Sequence, residues 1–351
     1  TEHHKANYIL NRIESVGGEL NAYTTKEETF VYSIFMKEHF LRAFDLLTDL
    51  VFYSSFPEIE IEKEKDVILD EISSYEDSPS ELIFDDFENL LYKEHALGHN
   101  ILGEEETLER FSTTTGKSFM NRYYTPGNMV FFSMGDIPLH KIVKWAESLF
   151  STLPAHSSPQ KRKVPTLSSA SSLTMSKETH QAHVMIGSHA FSMFDEKRIP
   201  MFLLNNIIGG PGMNNRLNVS LREHNGLVYS VESNITSYTD TGLFSIYFGT
   251  DPKNKEKAIR LVHREIEKLH ETKLTEKQLT AAKKQALGQL GVSIDNREGV
   301  FLNMGKSFLH YNFFASMEEV FNQINDITAE GILDIAQTVL APDKLFMLSY
   351  D

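Results

Sequence analysis

The chain is written twice. In its first half a helix (KANYILNRIESV) meets Gly17 and Gly18, and the strand ELNAYTT, a polar turn, TFVYSIFMK and the helix EHFLRAFDLLTDLVF follow. In its second half the helix NNRLNVSLREHN meets Gly226, and LVYSVESNI, the turn TSYTDTG, LFSIYFGT and the helix KEKAIRLVHREIEKLHE follow in the same order. Both copies read helix, glycine stop, β-hairpin, helix. Each continues with another long helix, further helices and a short apolar strand, NMVFFSMGD in the first and KLFMLSYD in the second. Between them PAHSSPQKRKVPTLSSASS, residues 154 to 172, is rich in Pro, Ser and basic residues and reads as a linker. The expected fold is α+β. Two similar domains, 1–155 and 172–351, would flank a linker at 156–171, each a largely antiparallel sheet with helices packed on one face.

The stretch EKEKDVILDEISSYED, residues 62 to 77, reads as a helix. Ile61, Ile68, Ile72 and Tyr75 make its apolar stripe. Glu64 and Glu71 fall inside the apolar arc, between Tyr75 and Val67, and two turns of helix put both carboxylates on one face. The second copy aligns LTEKQLTAAKKQALGQ, residues 274 to 289, with FPEIEIEKEKDVILDE. Ile61 then falls on Leu279 and Ile68 on Ala286, so the stripe survives. Glu64 falls on Ala282 and Glu71 on Gln289, so the acids do not, and the fold has no need of them there. Either the two glutamates sit at the rim and reach water by their long stems, or they are buried for a purpose. A buried carboxylate needs a cation, a metal or a donor network.

Composition narrows the partners. The formal net charge of −15 argues against nucleic acid and anionic membrane surfaces and suits a basic peptide. No apolar run approaches the length that spans a bilayer. The absence of cysteine excludes disulfides, zinc-thiolate sites and thiol nucleophiles, and fits a reducing compartment, read here as cytoplasm. The chain has no signal peptide and opens on Thr1 rather than Met, so the true N-terminus is expected elsewhere. IIGGPGMNNRL, residues 207 to 217, lacks GK[ST] and a preceding Rossmann strand, and reads as a helix-to-helix turn rather than a phosphate loop. His180, His183 and His189 flank the strand QAHVMIGSHA and read as structural. No Ser-His-Asp arrangement and no dinucleotide fingerprint is present.

Three segments carry a resemblance. RIESVGGELNAYTTKEETFVYS, residues 12 to 33, is like an IExxGGxxNAxTxxExTxY signature. EKDVILDE, residues 64 to 71, is like a segment that places a glutamate ligand seven residues after a helper glutamate. SLREHNGLVYSV, residues 220 to 231, is like an arginine-to-tyrosine segment of a second domain. Together they resemble the pitrilysin-type zinc metallopeptidases, and the short bacterial members similar to processing-peptidase subunits in particular.

That resemblance implies a zinc-dependent endopeptidase cleaving extended peptides in a chamber between two similar domains. It implies Glu71 as zinc ligand and Glu64 as the residue that orients a ligand histidine. It implies ELNAYTT, with Asn21 and Ala22 at the matched positions, as the edge strand to which a peptide adds by backbone hydrogen bonds. Local sequence alone reads the same segment as a plain hairpin. Arg222 and Tyr229 are implied to grip the substrate backbone and steady the oxyanion. Their alternatives are a cation favoured at a helix C-terminus and ordinary strand packing. A homodimer, or a heterodimer with a related subunit, is implied as well.

One departure is serious. The resembled family's HxxEH motif supplies two histidine ligands and the general base, and residues 1–351 contain no HxxEH. His3 and His4 lack the required spacing. The resemblance expects the motif just before Thr1. The alternative is a catalytically inactive partner subunit or peptide-binding scaffold, and a weaker third is an assembly core subunit of a respiratory complex.

Overall fold

A computed structural model describes residues 1–151, 162–177 and 179–351. Residues 156–161 of the expected linker lie outside them, and 162–171 run without helix or strand. In chain order the structure runs α1 (Ala6–Glu14), β1 (Glu19–Thr24), β2 (Thr29–Ile34), α2 (Phe40–Phe52), α3 (Glu58–Glu76), α4 (Pro79–Leu91), α5 (Glu105–Leu108), α6 (Thr113–Tyr123) and α7 (Leu139–Phe150). Then come β3 (Ser172–Met175), β4 (Ala182–Ala190), α8 (Arg198–Gly209), β5 (Val228–Ser237), β6 (Gly242–Thr250), α9 (Lys255–Glu271), α10 (Glu276–Ser293), α11 (Arg297–Tyr311), α12 (Met317–Asn325), α13 (Ala329–Val339) and β7 (Phe346–Tyr350). Short 3₁₀ and π turns fill some connections.

The chain packs as two compact units. The first holds Thr1–Ser73, Ile101–Arg162 and Phe301–Phe313, and the second Ser74–Asn100, Lys163–Val300 and Phe314–Asp351. The repeat follows the sequence halves, whereas packing follows apolar faces, so each unit draws on both halves.

The second unit is built on a five-stranded sheet of order β3-β7-β4-β6-β5, antiparallel except where β3 pairs with β7. Central β4 is buried on both faces, which explains its near-continuous apolar run AHVMIGSHA. On one face Val184, Ile186, Phe244, Ile246 and Phe248 pack with Leu204 and Ile208 of α8, Val262 and Ile266 of α9, and Ile335 and Val339 of α13. The other face carries α4. Its Ile83, Phe87 and Leu91, spaced four apart on one helical stripe, meet Met185, Phe346, Leu348 and Tyr350. Each such side chain gains ~1.5–3 kcal/mol on leaving water. Hydrogen bonds fix the seat of α4: Tyr92 Oη donates to Gly242 O at 2.8 Å and Tyr350 Oη to Asp86 at 2.6 Å.

The first unit has the same entry. The turn after α1 reaches Gly17, whose φ of +76° only glycine adopts freely, and the N–H of Gly18 returns to Ile13 O at 3.2 Å. Gly226, at φ +58°, closes the corresponding turn of the second unit. Here, though, the sheet among the described residues is the hairpin β1-β2, with Glu19 opposite Ile34 and Thr24 opposite Thr29. NMVFFSMGD, expected as a strand, is not one. Its counterpart β7 is paired by β4 and β3, while 129–134 has no ladder neighbour among the described residues. Rings hold that segment instead: Phe131 lies 5.0 Å from Phe44 of α2, and Phe132 lies 5.3 Å from Phe301.

Candidate functional site

α3 is helical over Glu58–Glu76, as its spacing predicts, but no residue of it is fully buried. Ile61, Lys65, Ile68, Leu69 and Ile72 form its half-buried line. Glu64 and Glu71 are exposed, so of the two readings the one that lets them reach water at the rim holds, and the buried one does not. Val67 between them is 49% exposed. The arc read as apolar therefore splits: one edge packs, and the edge carrying Glu64, Val67 and Glu71 faces solvent. Lys65 fills the packed side, pairing with Glu62 at 2.7 Å and donating to Glu109 O at 3.2 Å. Glu58 anchors the helix start by accepting from Thr113 Oγ1 at 2.9 Å.

In the second unit the matching positions are packed. Ala282 lies against the core, and Gln289 Oε1 accepts from Asn206 Nδ2 of α8 at 2.7 Å.

Asn21 and Ala22 lie on β1, opposite Tyr32 and Val31. Among the described residues β1 pairs only with β2, and both side chains are exposed. The base of the hairpin is held by Leu20 and Phe35 against buried Ile13, Ala43 and Leu46.

Arg222 and Tyr229 come together in the second unit through two backbone irregularities. Arg222 sits in a π-helical segment, Asn218–Glu223, in which the N–H of His224 bonds Val219 O at 3.0 Å. The extra residue in that turn is typical of functional sites. Tyr229 sits in a β-bulge, since the ladder jumps from Val228↔Thr250 to Val231↔Phe248. The bulge turns the ring outward. Tyr229 is 86% exposed, so it is not a packing residue, and the Arg222 guanidinium stands 5.6 Å from its ring centroid.

The glycine-rich segment is a helix-to-helix turn, as read. Buried Asn215 staples it, donating to Gly210 O at 2.7 Å and Gly212 O at 2.8 Å. His183 and His189 lie within β4, and burial lowers the pKa of both. His183 Nδ1 is 2.8 Å from Tyr247 Oη. His3 and His4 both direct Nδ1 at buried Asp49, at 2.6 and 3.0 Å, and so fasten the start of the chain.

Sequence reasoning passed over Glu28. It is 5% exposed and accepts from His310 Nε2 at 2.6 Å. Burial alone would raise its pKa. Hydrogen bonds from His310 and Thr25 and the charge of Lys306 outweigh that and hold it at about 2. A glutamate in the polar turn Thr25–Glu28 carries no local signal of its partners Lys306 and His310.

Zinc needs several converging ligands. Among the described residues no three of His, Cys, Asp and Glu are placed to hold a metal. Glu64 and Glu71 lie roughly 10 Å apart along the helix axis by its rise. The described residues do not by themselves fit a zinc centre.

Residues 1–105 match the family described as insulinase, peptidase family M16, and residues 113–286 match the peptidase M16 inactive domain. The uncharacterized zinc protease YmxG of Bacillus subtilis is 32% identical, over 98% of this chain and 83% of its own length. The chain belongs to peptidase family M16. An uncharacterized zinc protease of Streptomyces coelicolor is 28% identical, over 95% of this chain and 74% of its own. A peptidase M16 inactive domain from Pseudomonas fluorescens superposes with a TM-score of 0.90 at 22% identity, covering 99% of this chain and 84% of that one. A protease from Helicobacter pylori gives 0.87 at 18% identity, over 100% and 86%. At these identities the two structures establish the fold. No described helix is long and apolar enough to cross a membrane.

Proposed function

We propose that this M16 chain is the peptide-binding part of a zinc-dependent endopeptidase. Glu71 would be one metal ligand, Glu64 would orient another, and two histidines and a base would come from an HxxEH segment outside residues 1–351. The observation that carries the reading is the contrast between α3 and α10. In the second unit, α10 presents Gln289 to Asn206 of α8, the helix that follows β4. The first unit has neither a strand in the place of β4 nor a helix in the place of α8 among the described residues. Glu71, the counterpart of Gln289, is left exposed, with Glu64 and Val67 beside it.

The chain's own residues suit the handling of an extended peptide. The open edge of β1 offers alternate N–H and C=O groups, which bind main chain without reading side chains. Exposed Tyr229 and adjacent Arg222 offer a hydroxyl and a guanidinium for a substrate carbonyl. A dimer, with itself or a related subunit, remains part of the proposal and is read by light scattering.

The second reading is a catalytically silent peptide-binding subunit. The two separate on a quenched fluorescent peptide presented to the natural polypeptide. Chelator-sensitive cleavage supports the peptidase. Peptide binding without cleavage supports the silent subunit.

A further inference from the structure

The β1-β2 hairpin must be ordered if a peptide is to add to β1. Its base is held by the cluster around Ile13. Its tip is held by acids. In the turn Thr25–Glu28, the N–H of Thr25 bonds Glu28 O at 2.7 Å, and Thr25 Oγ1 donates to Glu28 Oε2 at 2.5 Å. Glu28 then reaches across to α11, where Lys306 Nζ lies 3.1 Å and His310 Nε2 2.6 Å from Oε1. Lys306 and His310 are four residues apart and so share one face of α11. The Glu27 side chain is buried too, and pairs with Arg162 at 2.5 Å. Burying two adjacent acids in a surface turn is costly unless each is paired. Here each is paired with a cationic residue from a segment more than 130 positions away in sequence.

We propose that Glu28, gripped by Lys306 and His310, is a positioning residue that docks the tip of the β1-β2 hairpin on α11 and keeps β1 in the extended form a substrate backbone can join. The inference rests on the reading of β1 as the substrate strand. Without the grip, β1 frays from its tip, and each bound peptide must first order it. Backbone ordering costs enough per residue to lower affinity about tenfold.

The test uses the 351-residue chain as wild type, Glu28→Gln, Lys306→Met and His310→Asn, with two readouts. Hydrogen exchange of residues 19–34 reports the docking itself. Fluorescence anisotropy of a fluorescein-labelled, lysine-rich extended peptide reports binding. Faster exchange in β1 together with about tenfold weaker binding in Glu28→Gln, and intermediate effects in the other two, supports the proposal. Unchanged exchange overturns the grip. Faster exchange with unchanged peptide affinity overturns the positioning role and leaves Glu28 structural. If the wild type binds no peptide, the substrate reading of β1 fails and the positioning role with it, whatever the exchange data say about the hairpin. In an active enzyme Glu28→Gln should raise KM and leave kcat nearly unchanged.

Discussion

Gly17 and Gly18 stand side by side at the turn into β1, and the structure gives them different reasons to be glycine. A Cβ on Gly18 would lie 2.5 Å from Ile13 Cγ2, 2.7 Å from the backbone oxygen of Ile34 and 3.2 Å from Phe35 Cβ. Ile13 is fully buried and the oxygen belongs to the backbone, so neither can step aside. Gly18→Ala is overpacking at the hairpin base and should cost ~2–3 kcal/mol. A Cβ on Gly17 would meet nothing within 4 Å, but its φ is +76°. Gly17→Ala therefore carries only left-handed strain, ~1 kcal/mol. At ~2–4 °C per kcal/mol for a unit of this size, Tm should fall by about 2–4 °C for Gly17→Ala and about 4–12 °C for Gly18→Ala. The probe is built in. The single tryptophan, Trp145, lies in the first unit against Phe40, with ring centroids 5.2 Å apart, so its fluorescence follows that unit selectively. A fall in Gly17→Ala that equals or exceeds that in Gly18→Ala would refute the close approach of β1 to α1.

Further outcomes follow from other contacts. Tyr229→Phe should fold normally and, in an active enzyme, lose roughly 10²-fold in kcat if its hydroxyl steadies an oxyanion; wild-type kinetics in both Tyr229→Phe and Arg222→Ala would remove the pair from the site. Glu28 is held at about 2, below the ordinary carboxylate value, so its contribution is complete above about 4.5 and is lost as pH falls toward about 2. Urea midpoints of Trp145 fluorescence should therefore decline more steeply between those values in wild type than in Glu28→Gln, which should be less stable by ~2 kcal/mol at neutral pH; parallel declines would contradict the buried pairing. Tyr92→Phe removes a buried hydroxyl from Gly242 O and should cost the second unit ~1–2 kcal/mol by circular dichroism, and no change would place that bond outside the stabilising set.

Much of this architecture is legible in the residues because it is written in short-range terms. The glycine stops, both hairpins and the helices after them rest on periodicity and φ preference, and they stand where the repeat puts them. The failures share a cause: each depends on a neighbour that spacing cannot name. NMVFFSMGD has strand composition but no ladder partner, so it stays irregular. Glu64 and Glu71 sit in an apolar arc by angle, but burial is decided by what packs there, and only the Ile68 side of the helix is covered. Tyr229 has inward parity on an ideal strand, and a bulge reverses it. The Glu28–His310 contact spans 282 residues and no local pattern announces it.

Zinc stoichiometry tests the central claim most directly. Elemental analysis should be made on polypeptide in which an HxxEH segment precedes residues 1–351, as wild type and as Glu71→Gln, with residues 1–351 alone as reference. The account predicts about one zinc per chain in the wild type, strong loss in Glu71→Gln with the fold retained, and no tightly held zinc in the reference. Equal zinc in wild type and Glu71→Gln, or one zinc per chain in residues 1–351 alone, would contradict it.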